Sequence, residues 1–161
     1  MNKMETFVIN PDTHNPVSVA EWAKEKNPKR AELLLLKTGG YSLLIAKKMF
    51  DGEYDFDTAQ KKAAEYKPKG LESLTFRCPT RKECVDIYDA RFVAGLDEAL
   101  KLVGGDSMSG AIWTCERDAD PWFARRYYAA NAWYFYQGIG TLSGNGVNGA
   151  GRCRACALLT I

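Results

Sequence analysis

The sequence predicts an α+β domain, and three features predict it. Two stretches in the middle of the chain, Arg81 to Tyr88 and Gly95 to Val103, read as helices with apolar inner positions. Strand-like runs cluster after them, at Ala111 to Cys115, Asn131 to Tyr136 and Arg152 to Ile161. Between the last two lies a glycine-rich stretch, Gly138 to Gly151, with six of the chain's fourteen glycines and Asn145 and Asn148 among them. It reads as a long, side-chain-poor connection. An ordinary domain keeps such connections short unless they have a function. Helices and strands segregated along the chain, rather than alternating, give the α+β class.

In chain order, Thr6 to Ile9 is a short strand, and Pro11 to Pro16 a turn cluster. Ser18 caps a helix from Val19 to Lys26, with Glu21 three residues on, and Asn27-Pro28 ends it. Glu32 to Lys37 and Tyr41 to Lys47 are apolar strands around Thr38-Gly39-Gly40, a hairpin signal. Asp57 is the expected cap of a helix from Thr58 to Tyr66, with Gln60 as its box partner and Ala59, Ala63 and Ala64 inward. Leu74 to Pro79 reads as a strand. Thr80-Arg81-Lys82-Glu83 is a capping box that opens the first central helix, with Val85, Ile87 and Tyr88 on it, and Gly104-Gly105 stops the second.

The 161 residues suffice for one domain with a proper core, and the net charge of +2 carries no strong field for nucleic acid or membrane. No apolar run approaches the roughly 20 residues of a membrane span. The first residues lack the apolar core of a signal peptide, so the expected location is the cytoplasm as synthesised. Five cysteines (Cys78, Cys84, Cys115, Cys153 and Cys156) are an odd number in such a chain and argue for structural thiols rather than a disulfide framework. In a strand, Cys153 and Cys156 point to opposite faces, so this CxxC neither bridges nor clamps a metal. No metal site and no cofactor are expected, and His14 is the only histidine.

The GxG spacings of the glycine-rich stretch lack the following helix that a phosphate cradle needs. Asp118 and Asp120 have no histidine or lysine nearby as acid–base partner, so catalysis is not expected of them. Arg125-Arg126 beside Trp122, Phe123, Tyr127 and Tyr128 would suit nucleic acid, but two preceding aspartates offset the charge. In the strand Asn131 to Tyr136, Trp133 and Phe135 are the better core side chains. Tyr134 and Tyr136 then take the open face, unless both faces are covered.

The stretch from about Phe76 to Ile161 resembles the variable proteins of diversity-generating retroelements, within the bacterial C-type-lectin-like domains. Five motifs in order carry the resemblance: Arg77-Cys78-Pro79-Thr80-Arg81-Lys82-Glu83, Gly104-Gly105-Asp106, Ile112-Trp113-Thr114-Cys115-Glu116, Asn131-Ala132-Trp133, and Gly151-Arg152-Cys153-Arg154. The first seventy residues resemble the family's divergent N-terminal part only loosely. The resemblance implies a single domain over residues 1–161 with a C-type-lectin-like core from 71: two helices packed on a small antiparallel sheet, with long C-terminal loops. It implies a non-enzymatic ligand-binding protein whose surface is rewritten at adenines of its codons. The expected partner is a protein or cell-surface ligand, with no nucleic acid and no membrane insertion. A homo-oligomer and association with a virion are compatible with it.

Adenine-directed change of an Asn codon reaches Tyr, Asp, Ser, Gly, Arg, Ile and Phe, but not Lys, Glu, Met, Gln or Trp. From Arg117 to Ile161 there is no Lys, Glu or Met, whereas the first 116 residues hold thirteen Lys and ten Glu. Glycine-rich buried strands would produce part of this bias unaided. The implied variable, ligand-contacting residues are Arg117, Asp118, Asp120, Phe123, Arg125, Arg126, Tyr127, Tyr128, Tyr134, Tyr136, Ile139, Ser143, Asn145 and Asn148. Trp113, Trp133, Phe135, Arg152 and Arg154 are the implied scaffold, with the two arginines on one strand face bonding loop carbonyls. Cys153 and Cys156 stand where the family has small aliphatic residues, and no calcium-ligand triplet of sugar-binding lectins is present. Two alternatives remain open: a structural or oligomerisation domain of a phage particle, and a formylglycine-generating-type enzyme.

Overall fold

A computed structural model describes residues 3–117 and 131–159 of the chain. The elements run β1 (Glu5–Ile9), β2 (Pro16–Ser18), α1 (Val19–Trp22), a 3-10 turn at Pro28–Arg30, β3 (Leu33–Lys37), β4 (Ser42–Ala46), α2 (Phe56–Glu65), α3 (Arg81–Val93), α4 (Leu96–Val103), β5 (Ala111–Arg117), β6 (Asn131–Tyr136), β7 (Thr141–Gly146) and β8 (Cys156–Leu158). The architecture is α+β, with antiparallel pairing between all neighbouring strands.

There are two sheets rather than the one small sheet expected. The larger has the order β2-β1-β3-β4-β8, so the N-terminal hairpin β3–β4 takes the C-terminal strand at its edge. The smaller has the order β5-β6-β7. Strands β3 and β4 are apolar at nearly every position because helices cover both faces of their sheet. On one face Leu34, Leu36, Leu43 and Ile45 pack with Ile87 and Ala90 of α3 and with Leu96, Leu100 and Val103 of α4. On the other, Leu33, Leu35, Leu44 and Ala46 pack with Phe56, Ala59 and Ala63 of α2 and with Trp113 of β5.

The local signals hold for α3, where the Thr80 hydroxyl and Glu83 complete the capping box, and for α4, which ends on Gly104 in the left-handed conformation. Ser18 caps α1, but that helix stops after one turn. Helix α2 starts earlier than expected. Its cap is Asp55, which accepts from the Thr58 amide at 2.8 Å, and Asp57 lies in the first turn. Gln60 is therefore no box partner; its amide donates to the Thr114 carbonyl at 2.9 Å. Phe56 faces inward with Ala59 and Ala63, whereas Ala64, expected inward, is exposed. Leu74 to Pro79 is not a strand; only Arg77 bridges, to Cys156.

The largest correction concerns the glycine-rich stretch. Six of its fourteen residues are strand β7, paired with β6 residue for residue from Asn131↔Gly146 to Tyr136↔Thr141. Gly144 and Gly146 have no side chains to register as a strand pattern. The β6 backbone supplies the order instead. Among the described residues no helix is long and apolar enough to cross a membrane.

Candidate functional site

Residues opposite one another in an antiparallel pair share a face, as do residues two apart on a strand. On β6 and β7 that rule groups Tyr134 with Ser143, Tyr136 with Thr141, and Ala132 with Asn145. On β5 it adds Trp113 opposite Tyr134 and, past an irregularity in register, Arg117 opposite Ala132. Arg117, Tyr134, Tyr136, Ser143 and Asn145 thus lie on one face of the three-stranded sheet. Ile139 sits in the β6–β7 turn and is 69% exposed; Asn148 follows β7 and is also exposed. Asp118, Asp120, Phe123, Arg125, Arg126, Tyr127 and Tyr128 lie outside the described residues.

The opposite face packs on α3. There Ile112 and Phe135 are buried with Cys84 and Met49, and Tyr88 and Leu142 close the cluster. Trp133 shares that face but is only half-buried, with the Arg81 guanidinium 4.6 Å from its ring centre. Phe135 is the core residue expected; Trp133 is held at the margin by a cation–π contact instead.

The outer face is not uniformly open. The N-terminal end of α2 covers the end near Trp113, which is fully buried, meets Phe56 edge-on at 5.5 Å, and donates from Nε1 to the Tyr54 carbonyl at 2.8 Å. Arg117 is drawn into this cover: its guanidinium lies 4.7 Å from the Phe56 ring centre and pairs with Asp57. Tyr134 is half-buried, packs on Trp113 at 5.0 Å, and donates from its hydroxyl to the Ala150 carbonyl at 2.8 Å. Burial first, then the neighbouring Tyr136 and Glu53, raises its pKa. Tyr134 therefore belongs partly to the scaffold, and the expectation that both tyrosines stand open holds only for Tyr136, at 41% exposure. Gly151 admits this packing: a Cβ there would meet the Tyr134 ring at 2.5 Å and Trp113 Nε1 at 2.9 Å.

Two further residues brace the hairpin that carries the face: Gln137, which adenine-directed change cannot reach and which is fixed scaffold on the resemblance, and Gly140, which the patterning did not single out. Gln137, fully buried, donates from Nε2 to the Ser109 carbonyl at 2.7 Å, and its backbone carbonyl accepts from Arg91 Nη1 at 3.0 Å. Gly140 turns the chain with φ +68°, its Cα close against the Tyr88 ring, where a Cβ would approach Tyr88 to 2.6 Å. Gly140→Ala is expected to cost about 1–3 kcal/mol, because it combines a left-handed strain with a clash against a packed ring. A urea titration of the variant checks this; an unchanged midpoint would contradict the placement of the turn.

Arg154 does what was expected of both arginines. It is buried, Nη1 reaches the Ala46 and Lys47 carbonyls at 2.9 Å each, and Nη2 reaches the Asp106 carbonyl at 2.9 Å. Arg152 is half-buried and, among the described residues, has no such side-chain bond; its backbone bridges to Ile112. Cys153 and Cys156 face apart, into the two separate cores. Among the described residues no three His, Cys, Asp or Glu side chains gather as a metal-holding group. A cavity of about 480 Å³, lined by Ile9, His14, Leu33, Gly70 and Leu71 among others, shares no residue with the outer face.

No protein-family model matches the chain, and a search of the curated proteins finds no match.

Proposed function

We propose that the chain is a ligand-binding protein that presents the outer face of β5–β6–β7, together with the β6–β7 turn and the segment after β7, to a protein or cell-surface ligand. The observation that carries this reading is the register, which places Arg117, Tyr134, Tyr136, Ser143 and Asn145 on one face while the other face is packed on α3. All five are residue types that adenine-directed change of Asn codons reaches, and their backbone positions are held by strand pairing. Tyr, Ser and Asn suit such a surface, since they join contact area to adaptable hydrogen bonding. We read the scaffold as C-type-lectin-like. The order of hairpin strand, three helices (α2, where the resemblance implied only two helices, then α3 and α4), three-stranded sheet and returning C-terminal strand beside β4 supports that reading. On it, the face is the part a diversity-generating retroelement rewrites.

The face is a sheet surface rather than a pocket, which favours a macromolecular ligand over a small one. A second reading, a structural domain that docks a partner subunit, has its own support. Phe92 and Val93 are each 68% exposed at the end of α3, Phe92 packs edge-on against Tyr88, and Tyr88 lies against Gly140, next to the exposed Ile139. Such apolar exposure is a mark of an interaction surface.

A displayed library randomised at Tyr136, Ser143, Asn145 and Asn148 tests the binding reading. Most members are expected to fold, since substitutions at the exposed Tyr136 and Asn148 cost within about 0.5 kcal/mol each and Ser143 and Asn145 are half-buried rather than core, and selection against different target proteins is expected to return different binders. Loss of protease-resistant display across the library would contradict it. So would a well-folded library that never yields a binder.

A further inference from the structure

The thiols of Cys78 and Cys153 lie 3.7 Å apart and fully buried, 75 residues apart in the chain. Both point at the same acceptor, the Ala59 carbonyl of α2, Cys153 at 3.3 Å and Cys78 at 3.7 Å. This is the only thiol–thiol contact found among the described residues, and all five cysteines are free. The backbones on either side are pinned to each other or to the sheets. Arg77 and Cys156 exchange amide bonds at 2.9 and 2.8 Å, the Cys115 amide donates to the Pro79 carbonyl at 2.9 Å, and the Phe50 amide to the Cys153 carbonyl at 2.9 Å. The fold thus holds two thiols together from opposite ends of a segment that contains α3, α4 and the whole β5–β6–β7 sheet.

We propose that Cys78 and Cys153 are a disulfide-forming pair that closes this segment when the chain folds in oxidising surroundings, whatever the outer face binds. A disulfide needs its sulfurs at roughly 2.05 Å, so each side chain moves by less than an ångström from the reduced arrangement. The oxidant is a low-molecular-weight disulfide such as oxidised glutathione. One cysteine thiolate attacks it, forming a mixed disulfide and releasing one glutathione thiolate. The second cysteine thiolate then attacks the cysteine-bound sulfur and releases the other. Two electrons pass from the cysteines to the oxidant, and the two protons the cysteines lose end on the two glutathiones. The step belongs to folding, before the core closes, because in the folded chain the hydrogen bond with Cys153 and then burial raise the pKa of the Cys78 thiol and hold it protonated.

The pairing amends the expectation that all five cysteines are simple core residues. Cys84 and Cys156 are buried in other clusters, and Cys115 is half-buried on β5. The test is to refold the full chain in a glutathione redox buffer, unfold it in guanidinium chloride with iodoacetamide so that every remaining thiol is blocked, and map the digest by mass spectrometry. The expected result is one cross-linked peptide pair, Cys78 to Cys153, with Cys84, Cys115 and Cys156 alkylated. The melting temperature should stand roughly 10 °C above that of the same protein reduced by dithiothreitol, as closure of so long a loop implies. Comparing oxidised with reduced wild type needs no variant to fold. C115S should leave the cross-link in place, and C78A should abolish it. Alkylation of all five cysteines, or a cross-link between any other pair, would overturn the proposal.

Discussion

Replacing Arg154 by methionine is expected to destabilise the protein by about 3–5 kcal/mol, one of the largest effects of any single substitution outside the apolar core. The guanidinium is fully enclosed and binds three backbone carbonyls, on the strand end at Ala46 and Lys47 and on the loop at Asp106. Methionine fills most of the volume but leaves those acceptors facing an apolar group. Burial, opposed by the Asp106 carboxylate, pulls the arginine pKa down to about 10, so the group remains charged at neutral pH. Asp106 in turn accepts from the Met49 amide at 2.8 Å and pairs with Lys48. The loop between α4 and β5 is thus tied to the end of β4 through one residue of the C-terminal segment. Lysine at 154 restores charge but not the planar fork, and should recover less than half of the loss. Urea unfolding at neutral pH measures all three proteins; equal midpoints for wild type and Arg154→Met would show that the carbonyls find other partners.

Glu83→Gln is expected to cost about 2–4 kcal/mol at pH 7. The Glu83 carboxylate, 6% exposed, takes both Arg77 terminal nitrogens at 2.7 Å and the Thr80 amide at 2.8 Å. Burial pushes the carboxyl pKa up, but the bonds from Arg77 and Thr80 outweigh it and the net shift is downward. A carboxyl held below its unfolded value stabilises the fold fully above the ordinary glutamate range. That stabilisation is lost as pH falls through the folded value. The wild-type and Glu83→Gln stabilities should therefore differ at pH 7 and converge below about pH 4. Urea midpoints at pH 7, 5 and 3 check this. A constant offset at all three would mean that shape rather than charge sets the cost.

Both residues lie in motifs that are legible without a structure: Arg154 bonds backbone carbonyls as expected, while the role of Glu83 is legible only in part. Thr80 and Glu83 form a capping box by spacing alone, and it is observed; the bidentate partner, Arg77, is a tertiary fact that no helix rule contains. The β3–β4 hairpin was legible because Leu33 to Leu36 and Leu43 to Ala46 are unbroken apolar runs on either side of a glycine turn. Strand β7 was not, because Thr-Leu-Ser-Gly-Asn-Gly has neither strand-forming residues in number nor an apolar alternation; its order comes from pairing with β6. That miss hid the outer face, since only the β6–β7 register brings Ser143 and Asn145 beside Tyr134 and Tyr136. The strand period alone correctly divided Tyr134 and Tyr136 from Phe135. It did not anticipate that α2 and Gly151 would draw Tyr134 partly into the core, a consequence of Phe56 and Trp113 meeting over β5. The helix cap moved from Asp57 to Asp55 for a related reason, because Phe56 had to enter that same cluster.

The measurement that bears most directly on the proposed binding role is to sequence the 3′ end of this gene from many cells of one population. A diversified binder predicts that differences concentrate at the codons for Tyr136, Ser143, Asn145, Asn148 and the other candidates, while Trp113, Phe135 and Arg154 stay fixed. A near-copy of the region, with adenines at the varied codons, should lie nearby. A uniform 3′ end with no such template would contradict a hypervariable surface and leave a fixed-partner domain on the same α+β scaffold.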